Sequence, residues 1–161
     1  MKEQILLYPE LFEYYPSTGI IEIYNCVSRT DSDFKSLLHI CRLFAEKGRH
    51  CIILPNSLHY KSQEYRNVFG NLFGTKYEGK CPDLLVDGEF YEYEGCTSNN
   101  PTRNFCNMIS RGIKQSERIL IDDCGINKRW AQRYLLTRVL AGDTVTEVWV
   151  LENSGKLTKL F

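Results

Sequence analysis

The sequence predicts an α+β domain, and three observations carry that expectation. Short runs rich in β-branched and aromatic residues alternate with longer runs whose apolar residues recur every three to four positions. Asp87-Gly88 separates two strand-like runs in DLLVDGEFYEYE, the strongest short hairpin signal in the chain. The C-terminal stretch TEVWVLENSGKLTKLF reads as strand, tight turn, strand. At 161 residues, with 43% hydrophobic and 25% charged residues, the chain should form one globular domain over 1–161 with a proper core.

Taken in order, residues 20–27 (IIEIYNCV) have the composition of a strand. The polar run SRTDSD then offers helix caps. Residues 31–47 carry Phe34, Leu37, Leu38, Cys41, Leu43, Phe44 and Ala45 at helical spacing, with Gly48 as a stop. CIILP, 51–55, reads as a fully buried strand ended by proline. Residues 56–80 are less regular. A short helix is expected around 62–69, with turns at Gly70, Gly74 and Gly79 and exposed residues over 76–80.

On the second arm of the hairpin, Phe90, Glu92 and Glu94 share one face and Tyr91 and Tyr93 take the other. Asn99, Asn100 and Pro101 open the next helix with a polar cap and a first-turn proline. RILID, 118–122, is a strand. Residues 127–141 form an amphipathic helix whose core stripe should be Trp130, Tyr134, Leu135 and Val139, closed by Gly142. The order is β-α-β-ββ-α-β-α-ββ, a central and mostly antiparallel sheet with helices packed on it.

Composition narrows the function. Twenty basic and twenty acidic residues give zero net charge, so an argument for nucleic acid must rest on local patches. No apolar run approaches the roughly 18 residues of a membrane span. The N-terminus MKEQILLYPELFEYYPSTG carries charge and proline where a signal peptide needs an apolar core, which points to the cytoplasm. The seven cysteines are odd in number and form no CxxC pair, so neither a disulfide framework nor a zinc knuckle is indicated. They read as reduced and mostly buried.

The chemistry concentrates between Cys81 and Arg118. At 100° per residue, Arg103, Asn107, Arg111, Lys114 and Arg118 fall within an arc of roughly 80°, with Phe105, Met108, Ile109 and Ile113 opposite. A cationic helix face beside the carboxylates Glu92 and Glu94 suits a polyanionic substrate. A nuclease-like site needs a base for the attacking hydroxyl, an acid for the leaving oxygen and cations on the phosphate. Glu92 or Glu94 is the candidate base. Arg103, Arg111, Lys114 and Arg118 are the candidate phosphate ligands. Ser116 or Gln115 could position the substrate, with Asn107 on the same stripe. A plain structural alternative pairs Glu92 and Glu94 with Arg111 and Arg118, which would add little stability if exposed. Of the histidines, His39 and His50 read as structural. His59, on a loop, is a candidate acid or base.

These residues also carry a family resemblance. PDLLVDGEFYEYE, followed by a helix that leaves through KQSER into ILI, resembles the CdiA C-terminal toxin-nuclease domain of the Barnase–EndoU–colicin–RelE superfamily. The matching positions are Pro82, Asp83, Asp87, Gly88, Glu92, Lys114, Gln115, Ser116, Arg118 and Ile119. The terminal TEVWVLENSGKL resembles the family's closing hairpin, and the resemblance covers about residues 40–161. It implies a ribonuclease that needs no metal or other cofactor, often aimed at transfer RNA. Such domains serve contests between bacteria or mobile elements and are held in check by a cognate immunity or inhibitor protein. A chain with its own Met1 would be a cytosolic relative, a mobile-element protein or an inactive descendant.

Two other functions compete. One is a metal-dependent nuclease of the PD-(D/E)xK type, with Asp83, Glu92 and Glu94 holding magnesium. Glu94 stands where that pattern has lysine, which removes the usual activator of the attacking water. The other is a non-catalytic regulatory protein of a mobile element that offers Tyr60, Tyr65, Tyr77, Tyr91 and Tyr93 to a partner.

Overall fold

Ile21 and Ile23 alternate with Glu22, and that alternation builds the central strand of the first half of the chain. The computed structural model describes residues 6–161. The chain divides into two compact units, one up to Glu89 and one from Phe90 to Phe161. The first contains β1 (Pro9–Tyr14), β2 (Ile20–Tyr24), α1 (Phe34–Glu46), β3 (His50–Ile53), α2 (Gln63–Phe69), a 3-10 turn (Gly70–Leu72) and β4 (Leu84–Val86). β1 runs antiparallel to β2, β2 parallel to β3, and β3 antiparallel to β4. α1 makes the crossover that a parallel pair requires. It buries Phe34, Leu37, Ile40, Cys41, Phe44 and Ala45.

Gly19 sets how closely α1 approaches the strands. A Cβ there would lie 1.8 Å from the carbonyl oxygen of Ala45, so only glycine fits where the β1–β2 turn meets the last turn of α1. Ser17 Oγ donates to the same carbonyl at 3.0 Å.

β1 was not expected. Two prolines flank it, its burial lacks a period of two, and its ladder with β2 is interrupted between Leu11 and Glu13. Such irregularity erases the alternation by which a strand is read. The short helix expected near 62–69 is present, capped by Ser62 Oγ accepting from the N–H of Tyr65 at 3.0 Å.

The second unit holds β5 (Glu89–Glu94, from Phe90 onward), α3 (Pro101–Gly112), β6 (Arg118–Asp122), α4 (Lys128–Leu140), β7 (Glu147–Leu151) and β8 (Leu157–Lys159). β5, β6 and β7 run parallel in that order, and β8 closes antiparallel on β7. Both crossovers step the same way along the sheet. Right-handed connections therefore put α3 and α4 on one face. Phe105, Met108 and Ile109 of α3 and Ala131 and Leu135 of α4 pack there on Ile119, Ile121 and Val148. Before that face, Asp87 and Gly88 both have positive φ, 50° and 84°, as a type I′ two-residue turn requires. The α+β class is as the sequence predicts.

Three expectations about burial are corrected. Trp130 is 38% exposed, and Ala131 and Leu135 are the buried residues of α4. Only Cys41 and Cys51 of the seven cysteines are buried; Cys26 and Cys96 are exposed, and all seven are free thiols. Tyr65, Tyr91 and Tyr93 are buried, so the five tyrosines do not make a partner surface. Among the described residues, no helix is long and apolar enough to cross a membrane.

Two stability predictions follow from these contacts. Gly19→Ala should cost about 3 kcal/mol in urea unfolding, because the obstacle is backbone and cannot rotate away. Glu147 accepts from Tyr91 Oη and Trp149 Nε1, both at 2.9 Å, with Arg118 Nε at 3.3 Å. Burial pushes its carboxyl up, but these two donors and the Lys159 and Arg118 cations outweigh burial and hold it below its ordinary 4.5. A depressed carboxylate stabilises the fold above its unfolded pKa, and that contribution is lost as pH falls through the folded value. Glu147→Gln should therefore lower stability at neutral pH and flatten its decline below about pH 4.5, read by denaturant midpoints across pH.

Candidate functional site

The register of the second unit decides which predicted residues can act together. Glu92 pairs with Ile119 and Glu94 with Ile121, so both carboxylates point to the face covered by α3 and α4. Glu92 is buried, at 8% exposure. Glu94 meets Arg111 of α3: the guanidinium Nε donates to Glu94 Oε2 at 2.6 Å, and Nη2 donates to the carbonyl of Gly95 at 3.1 Å. The Glu94 side chain is 13% exposed and that of Arg111 39%, so the pair sits at the mouth of the helix–sheet seam.

α3 is placed by its two ends. Asn100 Oδ1 accepts from the N–H of Arg103 at 2.9 Å, the cap that the sequence signals. Asn104 then holds the incoming loop, accepting from the N–H groups of Thr97 and Ser98 at 3.1 and 2.7 Å. Asn104 was missed because it lies between the two helix faces, where periodicity assigns no role. At the other end, a Cβ on Gly112 would lie 2.8 Å from Ile119 Cγ2. The glycine lets α3 press onto β6.

Arg103, Asn107 and Lys114 stand exposed on the outer side of α3 and its exit. Among the described residues, neither Arg103 nor Lys114 forms an ion pair. Of the predicted stripe, Arg111 is thus paired with Glu94, while Arg103, Asn107 and Lys114 follow its outward face along α3 and its exit.

The remaining predicted residues are elsewhere. Arg118 lies on β6 opposite Glu147, on the other sheet face from Glu92 and Glu94, and pairs with Glu117 at 2.8 Å and Glu147 at 3.3 Å. The strand's period of two, not the helix's 3.6, decides its direction. Ser116 is buried; its hydroxyl donates to the carbonyl of Phe90 at 2.8 Å and accepts from the N–H of Arg118 at 3.1 Å. It ties β5 to the α3–β6 join and is not turned toward a substrate. Gln115 is half-buried. His59 is in the first unit, where its Nδ1 accepts from the N–H of Lys61 at 3.2 Å in the turn before α2.

Two cavities open where parallel strands end, the usual place for ligands in such sheets. In the first unit, a cavity of about 310 Å³ lies past β2 and β3, lined in part by Asp31, Asp33, Asn56 and Asp83. In the second, one of about 190 Å³ lies past β6 and β7, with Asp122, Asp123, Glu152 and Lys128 in its wall. The charged groups are all carboxylates in the first and, Lys128 apart, in the second, so neither suits a phosphate as well as the outer face of α3 does. Among the described residues, no three of His, Cys, Asp or Glu form a group that could hold a metal ion.

No family model matches the sequence, and no curated protein matches it. A solved structure does. One chain of a CdiA-CT/CdiI toxin and immunity complex from Burkholderia pseudomallei superposes with a TM-score of 0.52. The alignment covers 84% of this chain and 89% of that one, at 15% sequence identity. The two share a fold.

The Arg111–Glu94 pair should be measurable by itself. Arg111→Ala removes the guanidinium that donates to this largely buried carboxylate and should cost about 2 kcal/mol. Adding Glu94→Gln should recover part of that loss, a coupling that a double-mutant cycle would quantify.

Proposed function

We propose that this chain is a toxin-type ribonuclease domain that cleaves RNA without a metal ion, with transfer RNA as the first substrate to try. The observation that carries the reading is the pairing of the β5 carboxylate Glu94 with Arg111 of α3, on a helix stripe whose exposed Arg103 and Lys114 have no acidic partner among the described residues. The fold shared with a chain of a toxin–immunity complex supports the toxin context. A cognate immunity protein is its natural partner.

In this mechanism Glu94 takes the proton from the ribose 2′-OH. The freed 2′-oxygen attacks the adjacent phosphorus, the bond to the 5′-oxygen breaks, and that oxygen takes up a proton from water. The product is a 2′,3′-cyclic phosphate. Arg111 turns from Glu94 toward the phosphate as charge builds on its oxygens, and Lys114 adds a second cation. Arg103 and Asn107 hold the strand farther along the helix. Glu94 is preferred to Glu92 as base because it lies at the mouth of the seam.

Purified protein incubated with total transfer RNA should cut it with or without EDTA. Glu94→Gln should lower the rate by roughly a hundredfold or more, and Lys114→Ala by about a hundredfold. Both variants should keep the fold, checked by circular dichroism. Cleavage lost in EDTA and restored by magnesium would transfer the chemistry to carboxylates that hold a cation. Absence of cleavage in both lanes would refute the ribonuclease assignment.

A further inference from the structure

α4 carries a feature that RNA cleavage does not use. Trp130 is 38% exposed although it sits in a helix packed on the core. Its ring stacks on Tyr134 at 5.4 Å between centroids and 12° between planes. Phe105 of α3 sets its edge against both, at 6.1 Å to Trp130 and 5.7 Å to Tyr134. The stack is fixed from behind. Arg138 Nη1 donates to Tyr134 Oη at 2.8 Å and to Ser110 Oγ at 3.0 Å, while its Nε meets Asp143 at 2.5 Å. An indole thus stands partly in solvent, held in place by a stacked ring, an edge-on ring and an anchored guanidinium. Little rotamer freedom is left to lose when something lands on it.

The charged side chains of the two helices that build this stack have one sign. α3 carries Arg103 and Arg111, α4 carries Lys128, Arg129, Arg133 and Arg138, and neither helix contains a carboxylate. Ion pairs engage Arg111 and Arg138. Arg103, Arg129 and Arg133 are exposed and, among the described residues, have no ion pair. Arg129 and Arg133 lie one residue before and three after Trp130 on the same helix. A preset flat ring with two exposed guanidinium groups on the same helix matches a ligand that alternates flat rings with anions.

We propose that Trp130 is a stacking platform for an unpaired base of single-stranded RNA, with Arg129 and Arg133 of the same helix holding the adjoining phosphates. The proposal rests on the reading of this chain as acting on RNA, and specifies how the RNA is held. Stacking tolerates any base, since every base has a π face, so this contact gives affinity for unpaired strands without sequence preference.

The test is fluorescence anisotropy with a short labelled single-stranded RNA, the same strand carrying abasic sites, and a duplex. Trp130→Ala should raise Kd roughly 5- to 100-fold, with the salt dependence of Kd unchanged because no charge is removed. Trp130→Phe should keep most of the affinity. Arg133→Ala should weaken binding and reduce the salt slope by about 0.7. The abasic strand tests the same contact on unaltered protein: wild type should bind it about as weakly as Trp130→Ala binds the intact strand. Equal wild-type affinity for intact and abasic strands would overturn the platform and leave the RNA reading standing. So would displacement of the RNA by polyglutamate at equal charge, which would assign the surface to an acidic protein. Failure of folded wild type to bind any RNA would end the RNA reading itself.

Discussion

A carboxylate on a sheet face covered by helices must be met by a cation or lose the hydration that ionisation needs. β5 puts Glu92 and Glu94 on such a face, and the second unit is arranged around that constraint. Gly112 removes the side chain that would hold α3 away from Ile119. The close approach brings Arg111, the preceding residue, to the end of β5, where it reaches both the Glu94 carboxylate and the Gly95 carbonyl. Asn104 and the Asn100 cap fix the other end of the helix. One glycine contact and one ion pair therefore set where every outward residue of α3 stands.

Zero net charge conceals a strong internal polarity. The crevice past the parallel strands carries three carboxylates in each unit, while the charged side chains of α3 and α4 are all basic. A polyanion that approached this molecule would be steered to the helices and away from the strand ends. This separation of charge, more than any single residue, is why the helix face is the surface to test with nucleic acid.

What could be read in the sequence was local. The Asp87-Gly88 turn, the Ser62, Asn100 and Asn127 caps and the Gly48 stop are short-range devices whose residues name them. The α3 stripe was readable as far as Lys114 because it follows one helical period. It failed at Arg118, where the chain has become a strand and its direction is set by pairing with Glu147 rather than by rotation about a helix axis. Ser116 failed for a similar reason, since its hydroxyl is consumed by backbone groups that only the folded join brings near. Trp130 misled because hydrophobicity predicts burial, while a stacked partner and an edge-on ring can hold a large aromatic at the surface. β1 left almost no trace, having one neighbouring strand and an interrupted ladder.

The thiols have a practical bearing on how this protein tolerates oxidants. Cys96 is exposed, yet partial burial of its sulfur and the carboxylates of Asp122 and Asp123 push its pKa up to about 11. Cys26 and Cys124 are also raised, mainly by burial. The attacking species in disulfide exchange is the thiolate, and at neutral pH these groups supply almost none. Seven sulfhydryls on so short a chain would ordinarily invite scrambled crosslinks. For Cys26, Cys96 and Cys124 the surroundings favour the protonated thiol, which slows their entry into disulfide exchange.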